Sequence, residues 1–173
     1  SIAAVESVRI IRALRRLGAE VCPWMSDGAH KFIGEIALSW AAAQKVRQKF
    51  SGEKSHVAQN CDAILIAPAS ANFLAKIAHG FIESAAQALV LSAFSQKKPV
   101  YILPTMHDDL YKSPSIQENI KKIRLIENTY FLTPRREEGK QKFPTPEILA
   151  DKVSHLLCKF AQKSPSPKLL VTL

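Results

Sequence analysis

Apolar residues at Val5, Val8, Ile11, Leu14 and Leu17 recur every third position and stop at Gly18. That spacing predicts an amphipathic helix closed by a glycine C-cap. Residues 19–25 then read as a strand, although Pro23 would cost a ladder hydrogen bond in a fully paired position. Ser26-Asp27-Gly28 carries N-cap chemistry for a second helix over about 29–50, with a break expected near Gly34. After a polar stretch, Cys61-Asp62-Ala63-Ile64-Leu65-Ile66-Ala67-Pro68 is short and almost continuously apolar. Such a run fits a strand buried on both faces of a parallel sheet.

The rest of the chain repeats the alternation. Helical patterns occupy 71–79 and 83–95 with Gly80 between them, and 99–104 is a second buried strand. A helix is expected over 115–128, a short strand over 129–132, a charged loop over 134–144 and a last helix over 146–162. Helices alternating with short apolar strands predict an α/β fold: Rossmann-like (flavodoxin-like), doubly wound, with a mainly parallel sheet and helices on both faces. The ends leave two readings open. Residues 1–163 read as one domain, and 164–173 as a Ser/Pro linker with a terminal strand. That strand either completes the sheet or begins a further domain.

Composition narrows the class. The chain has 173 residues, 47% hydrophobic and 23% charged, which suits one ordinary domain and excludes disorder. Its apolar runs are too short to span a bilayer, and no signal-peptide pattern opens it. Three cysteines without a CxxC predict neither a disulfide scaffold nor a zinc ribbon. The histidines on helices, His30, His79 and His155, have no ligand partner four residues on, so no metal site is expected. A cytoplasmic, membrane-free protein is the expectation. The net charge of +9 raises a polyanionic partner. Its sources are spread over helix-like and loop stretches, and no nucleic-acid module is present, so nucleic acid is not the expected partner.

In an open α/β sheet, ligands bind beyond the carboxyl ends of the strands, near helix N-termini. Three segments qualify: Ser1-Ile2-Ala3-Ala4, Met25-Ser26-Asp27-Gly28 and Ala67-Pro68-Ala69-Ser70-Ala71-Asn72. Free backbone N–H groups and hydroxyls there form an anion cradle; each serine taken alone reads first as an N-cap, and it is the three loops together that point to a ligand. No GxGxxG or GxxxxGK[ST] is present, which argues against a standard dinucleotide site or a P-loop.

These segments, with Ala75-Lys76-x-Ala78-x-Gly80 and Pro104-Thr105-Met106-His107-x-x-Leu110-Tyr111-x-x-Pro114, resemble the FMN-containing cysteine decarboxylases. That family includes the phosphopantothenoylcysteine decarboxylases of coenzyme A biosynthesis and the lantibiotic peptidyl-cysteine decarboxylases. The resemblance implies a flavoprotein enzyme, an FMN-dependent carboxy-lyase that oxidises a cysteine-derived thiol and so lets CO2 depart. It also implies a small-molecule substrate and a homo-oligomer, a trimer or a multiple of trimers. Carried over by motif, Ser1, Ser26, Ala67, Ser70 and Ala71 would bind FMN. Asn72, Met106 and His107 would face the substrate, and His56 and Asn72 would be catalytic.

Four departures from the family pattern stand beside these matches, the first being that His56 lies six residues before Asp62 where the family's histidine lies about eight before. His107 replaces an asparagine, and imidazole lacks the carboxamide's fixed donor and acceptor. The segment 132–143 has no cysteine where coenzyme A-type members carry one, and Glu83 replaces an aspartate. They keep a competing reading in view: an FMN-binding or regulatory homologue without decarboxylase turnover. Cys22, Cys61 and Cys158 are assigned to packing.

Overall fold

The computed structural model describes residues 2–47, 60–137, 140–142, 144–160 and 167–172. A short 3₁₀ turn, Ile2–Glu6, leads into α1 (Ser7–Arg16) and the strand β1 (Glu20–Trp24). A second 3₁₀ turn, Ala29–Lys31, precedes α2 (Glu35–Ala42). Next come β2 (Ala63–Ala69), α3 (Ala71–His79), α4 (Ala85–Ser95) and β3 (Val100–Pro104). The chain continues through α5 (Asp108–Lys112), α6 (Pro114–Arg124), β4 (Thr129–Phe131), β5 (Arg135–Glu137) and β6 (Lys140–Lys142). It closes with α7 (Pro146–Phe160) and β7 (Lys168–Thr172).

Five strands form one parallel sheet in the order β1-β7-β2-β3-β4. β7 lies between β1 and β2, with Leu170 opposite Cys22 on one side and Ile64 on the other. The two central strands β2 and β3 are buried along their whole length, which is why their sequences are unbroken apolar runs. Side chains alternate across the sheet. Leu65, Tyr101, Leu169 and Val171 pack under α1, α2 and α7 with Ile10, Leu14, Leu38 and Leu149. Ile64, Ile66, Ile102 and Leu170 pack on the opposite face with Leu74 of α3, Leu89 of α4 and Ile120 of α6. Each such aliphatic side chain contributes about 1.5–3 kcal/mol by leaving water.

Several boundaries differ from the expectation. α1 buries Ile10, Ile11 and Leu14, while Val5 and Leu17 are exposed. A strict three-residue repeat falls 60° short of a full turn at each step, so its ends drift off the buried face. α2 stops at Ala42 because Ala43 adopts φ 51°, and Arg47 then pairs with the open edge of β1. Arg47 N donates to Pro23 O at 3.0 Å and Met25 N donates to Arg47 O at 2.9 Å. Pro23 is tolerated because β1 is the outermost strand of the sheet. The stretch expected as a charged loop holds the antiparallel ribbon β5–β6. A helical turn, α5, lies where none was expected, and α6 ends at Arg124 rather than 128. Residues 48–50 and 161–162, expected as helix ends, fall outside the described residues. Among the described residues no helix is long and apolar enough to cross a membrane.

Candidate functional site

The carboxyl ends of β1 and β2 both give way to tight turns. The ladder between β2 and β3 shifts register between Ile66 and Ala69, where Pro68 has no N–H to donate. The chain then turns at Ser70, whose backbone is extended and whose Oγ accepts from Phe73 N at 3.2 Å. This is an N-cap, and it starts α3 directly at the sheet edge. Thr105 N donates to Ala69 O at 3.1 Å, tying the end of β3 to the same turn. Beyond β1, Ala29 N donates to Ser26 O at 2.9 Å and folds 26–29 into a compact bend. The buried Ser7 Oγ donates to Ala67 O at 3.3 Å and seats the first turn of α1 on β2.

These turns enclose a cleft of about 250 Å³. Ala4 and Ser26, Asp27, Gly28 and Ala29 form one side; Pro68, Ser70, Asn72, Phe73 and Lys76 form the second. Glu83, Ser84 and Gln87 form the third. The buried Gln87 organises that last side: its Oε1 accepts from Glu83 N at 2.8 Å, Ser84 N at 2.7 Å and Ser84 Oγ at 3.1 Å. Ser84 and Gln87 form a capping box at the start of α4. The Lys76 ammonium is ion-paired with the Glu83 carboxylate. Beside Ala69, the buried Thr105 Oγ1 has no hydrogen-bond partner among the described residues. Hydroxyls, a carboxamide and an ammonium meeting at the carboxyl edge of a parallel sheet suit a ligand with a polar, anionic end.

Of the residues expected at the site, Ser26, Ser70 and Asn72 share this cleft. Ala67 is buried in β2 with its side chain in the core beneath α1, and Ala71 packs into the opposite core. Met106 packs into that second core, and His107 is exposed at the N-cap of α5. None of these four lines the cleft. Ser1 and His56 lie outside the described residues. Lys76, Glu83, Ser84 and Gln87 were not expected there. For Ser84 and Gln87 a local signal was available, since Ser84-x-x-Gln87 before an apolar run is a capping-box pattern that marks a helix start.

A larger cavity of about 550 Å³ lies at the amino ends of the strands, with Cys22, Cys61, Arg47 and Lys98 in its lining. Four of its charged residues are engaged within the lining. Lys168 pairs with Glu20 at 3.3 Å, Lys168 N donates to Asp62 Oδ2 at 2.7 Å, and Lys98 Nζ donates to Cys61 O at 2.7 Å. Burial pushes the Cys22 thiol up and the Cys61 thiol up to about 11, with Lys98 opposing part of the latter. Both thiols are protonated and unreactive near neutrality, as packing residues are. Among the described residues no cluster of His, Cys, Asp and Glu is arranged to hold a metal ion.

The model of the Flavoprotein family matches residues 1–158. The chain belongs to this family. It is 37% identical over 159 residues to the coenzyme A biosynthesis bifunctional protein CoaBC of Thermococcus kodakarensis, matching 88% of the chain and 39% of that protein. It is 32% identical over 127 residues to a probable phosphopantothenoylcysteine decarboxylase of Streptococcus mutans, 69% of the chain and 70% of that protein. The chain thus spans about two fifths of its bifunctional relative. Among solved structures, the FMN-dependent cysteine decarboxylase SpaF superposes with a TM-score of 0.80 at 25% identity, covering 93% of the chain and 92% of SpaF. A decarboxylase mutant complexed with pantothenoylaminoethenethiol shares the fold, with a TM-score of 0.79 at 18% identity over 90% of the chain and 92% of its partner. The doubly wound parallel sheet is therefore the family's architecture.

Proposed function

We propose that the chain binds FMN in this cleft and decarboxylates a cysteine-derived substrate of the 4′-phosphopantothenoylcysteine type, a step of coenzyme A biosynthesis. The observation that carries this reading is the convergence of Ser26, Ser70 and Asn72 at the carboxyl edge of the sheet in a Flavoprotein-family chain. The names of the relatives from Thermococcus and Streptococcus and of SpaF point the same way. Residues 1–163 would be the flavin-binding unit, with the strand β7 completing its sheet.

The lining fits the cofactor. Ser70 Oγ already accepts from Phe73 N, so its O–H is left to donate to a ligand oxygen. A Cβ on Gly28 would meet only Ser26 Oγ, at 4.0 Å, so this wall is open to a ligand. Ser26 and Ser70 would hold FMN through their side chains, Ala67 and Ala71 would contribute backbone groups only, and Ser1 is assigned to the same role by motif. When bound, FMN supplies the two-electron oxidation of the substrate thiol. The chain supplies orientation and proton handling. Asn72 is exposed in the cleft and offers carboxamide donors to the departing carboxylate. Met106 and His107 lie outside the cleft lining and would meet only a part of the substrate that extends beyond it, and His56 would take the thiol proton. Because 132–143 contains no cysteine, the expected product is the enethiol rather than its reduced form.

Asn72→Ala should retain flavin and lose at least about tenfold in turnover, the loss expected when a positioning contact goes. Turnover at the parent rate with flavin bound would contradict the assignment. His107 in place of asparagine favours a second reading, an FMN-binding regulator without turnover. In that case no thiol substrate would reduce the bound flavin. Assembly with further copies of the chain, as a trimer or a multiple of trimers, is part of the first reading. It is supported by exposed apolar side chains at Ile36 and Trp40 on α2.

A further inference from the structure

The cleft assigned to an anionic ligand contains one lysine or arginine among its described lining residues, Lys76, against two carboxylates, Asp27 and Glu83. In their ordinary charge states these side chains leave it with an excess negative charge, which repels the ligand it is built to take. The asymmetry of the Lys76–Glu83 pair resolves the conflict. The Lys76 side chain is 21% exposed and that of Glu83 is 62% exposed. Lys76 projects from α3, a helix fixed by the Ser70 cap at one end and by Gly80 at φ 72° at the other. Glu83 lies on the connector to α4, where Gln87 holds its backbone N–H and leaves the carboxylate in solvent.

We infer that Lys76 is the residue of this cleft that receives a phosphomonoester, and that Glu83 is its resident counter-ion, displaced when the phosphate arrives. The inference rests on the flavin reading for the identity of the phosphate and deepens it. An ion pair with a solvent-facing partner is weak, so its opening lowers affinity only a few-fold. A phosphate dianion makes stronger charge-assisted hydrogen bonds to an ammonium than a singly charged carboxylate does. Chloride and lone carboxylates do not match that advantage. Glu83 thereby raises the threshold for entry and makes the cleft selective for phosphorylated ligands. The phosphate comes either from the cofactor or from the substrate, and two matched pairs of compounds separate these sources.

The test uses the full chain, the parent beside Lys76→Met and Glu83→Gln, with thermal melts confirming that each is folded. Lys76→Gln replaces Lys76→Met if the latter melts early. Flavin-free protein is titrated with FMN and with riboflavin. FMN-loaded protein is titrated with phosphopantothenoylcysteine and with pantothenoylcysteine. Lys76→Met should weaken the phosphorylated member of one pair by about tenfold or more, leaving its unphosphorylated partner within about twofold. Glu83→Gln should tighten that same phosphorylated ligand by about threefold. The pair that responds identifies the source. Equal effects on both members of each pair, or none, would overturn the inference. So would weaker binding in Glu83→Gln, which would make the ion pair a strut. If the parent takes up no flavin, the flavin reading has failed, and titration with inorganic pyrophosphate then tests Lys76 by itself. Binding to the parent that is lost in Lys76→Met upholds the inference; no binding to the parent overturns it.

Discussion

Ser70 serves two purposes through one oxygen. It caps α3 by accepting from Phe73 N, and the same hydroxyl faces the cleft. Ser70→Ala should lower stability by about 1 kcal/mol in denaturant titration, through loss of the cap, and should also weaken flavin binding. Ser70→Asp separates the two effects: it restores the cap but places a carboxylate in the cleft, so stability should return while flavin binding stays poor. Full flavin affinity in the aspartate variant would remove Ser70 from the site. The cysteines act at this scale through pH. Cys61 ionises at about 11 in the fold against 9.0 for an ordinary thiol, because burial disfavours the thiolate. Below pH 9 both folded and unfolded thiols are protonated. As pH climbs from about 9 to 11, the unfolded chain ionises first, so stability falls across that window. Denaturant midpoints taken between pH 8 and about 11 should show the decline, and Cys61→Ala should make it shallower, Cys22 keeping a contribution of the same sign.

At the scale of elements, the periodic patterns were legible wherever packing and propensity agreed. The buried runs of β2 and β3 are read directly from sequence because a strand covered on both faces can hold almost nothing polar. The apolar spacing of α1 identified a helix but not its buried face, since the repeat of three drifts around the helix axis. The end of α2 was hidden because Ala43 carries no chemical sign of the left-handed backbone it adopts. The site was legible in part. Ser26, Ser70 and Asn72 occupy short loops next to strand ends, where local sequence places them. Gln87 reaches the cleft only because the 80–84 connector folds α4 back beside α3, a tertiary arrangement that no periodicity encodes. Its role predicts a sizeable cost. Gln87→Leu leaves the Glu83 and Ser84 N–H groups without their acceptor and should destabilise by about 1–3 kcal/mol. Gln87→Glu keeps an acceptor there and should recover part of the loss.

At the scale of the molecule, β7 links the two cores, placing Leu169 and Val171 in one and Leu170 in the other. The cleft opens beside this central region, at the carboxyl ends of the strands. The cavity at the opposite pole has the larger volume, but four of its charged residues are engaged within its own lining, so size alone does not locate the chemistry. The surface of α2 carries exposed apolar side chains. Ile36 is 86% exposed and Trp40 61% exposed, one turn apart, with the Arg12 guanidinium 4.6 Å from the Trp40 ring. Apolar groups one helical turn apart form a continuous strip, and such strips mark contact surfaces. In the proposed assembly this strip meets a further copy of the chain. A double Ile36→Glu, Trp40→Glu variant should run at a lower mass by light scattering while keeping its helical signal. An unchanged mass would place the contact elsewhere.

The central claim is that one cleft binds FMN and turns over a cysteine-derived thiol. It is tested most directly by the absorbance spectrum of FMN-loaded protein before and after anaerobic addition of phosphopantothenoylcysteine. The account predicts bound-flavin bands, release of CO2 and bleaching of those bands that persists until air is admitted, because the enethiol leaves with the flavin still holding its two electrons. Protein that takes up no FMN, or a bound flavin that no thiol substrate reduces while no CO2 is released, would contradict it.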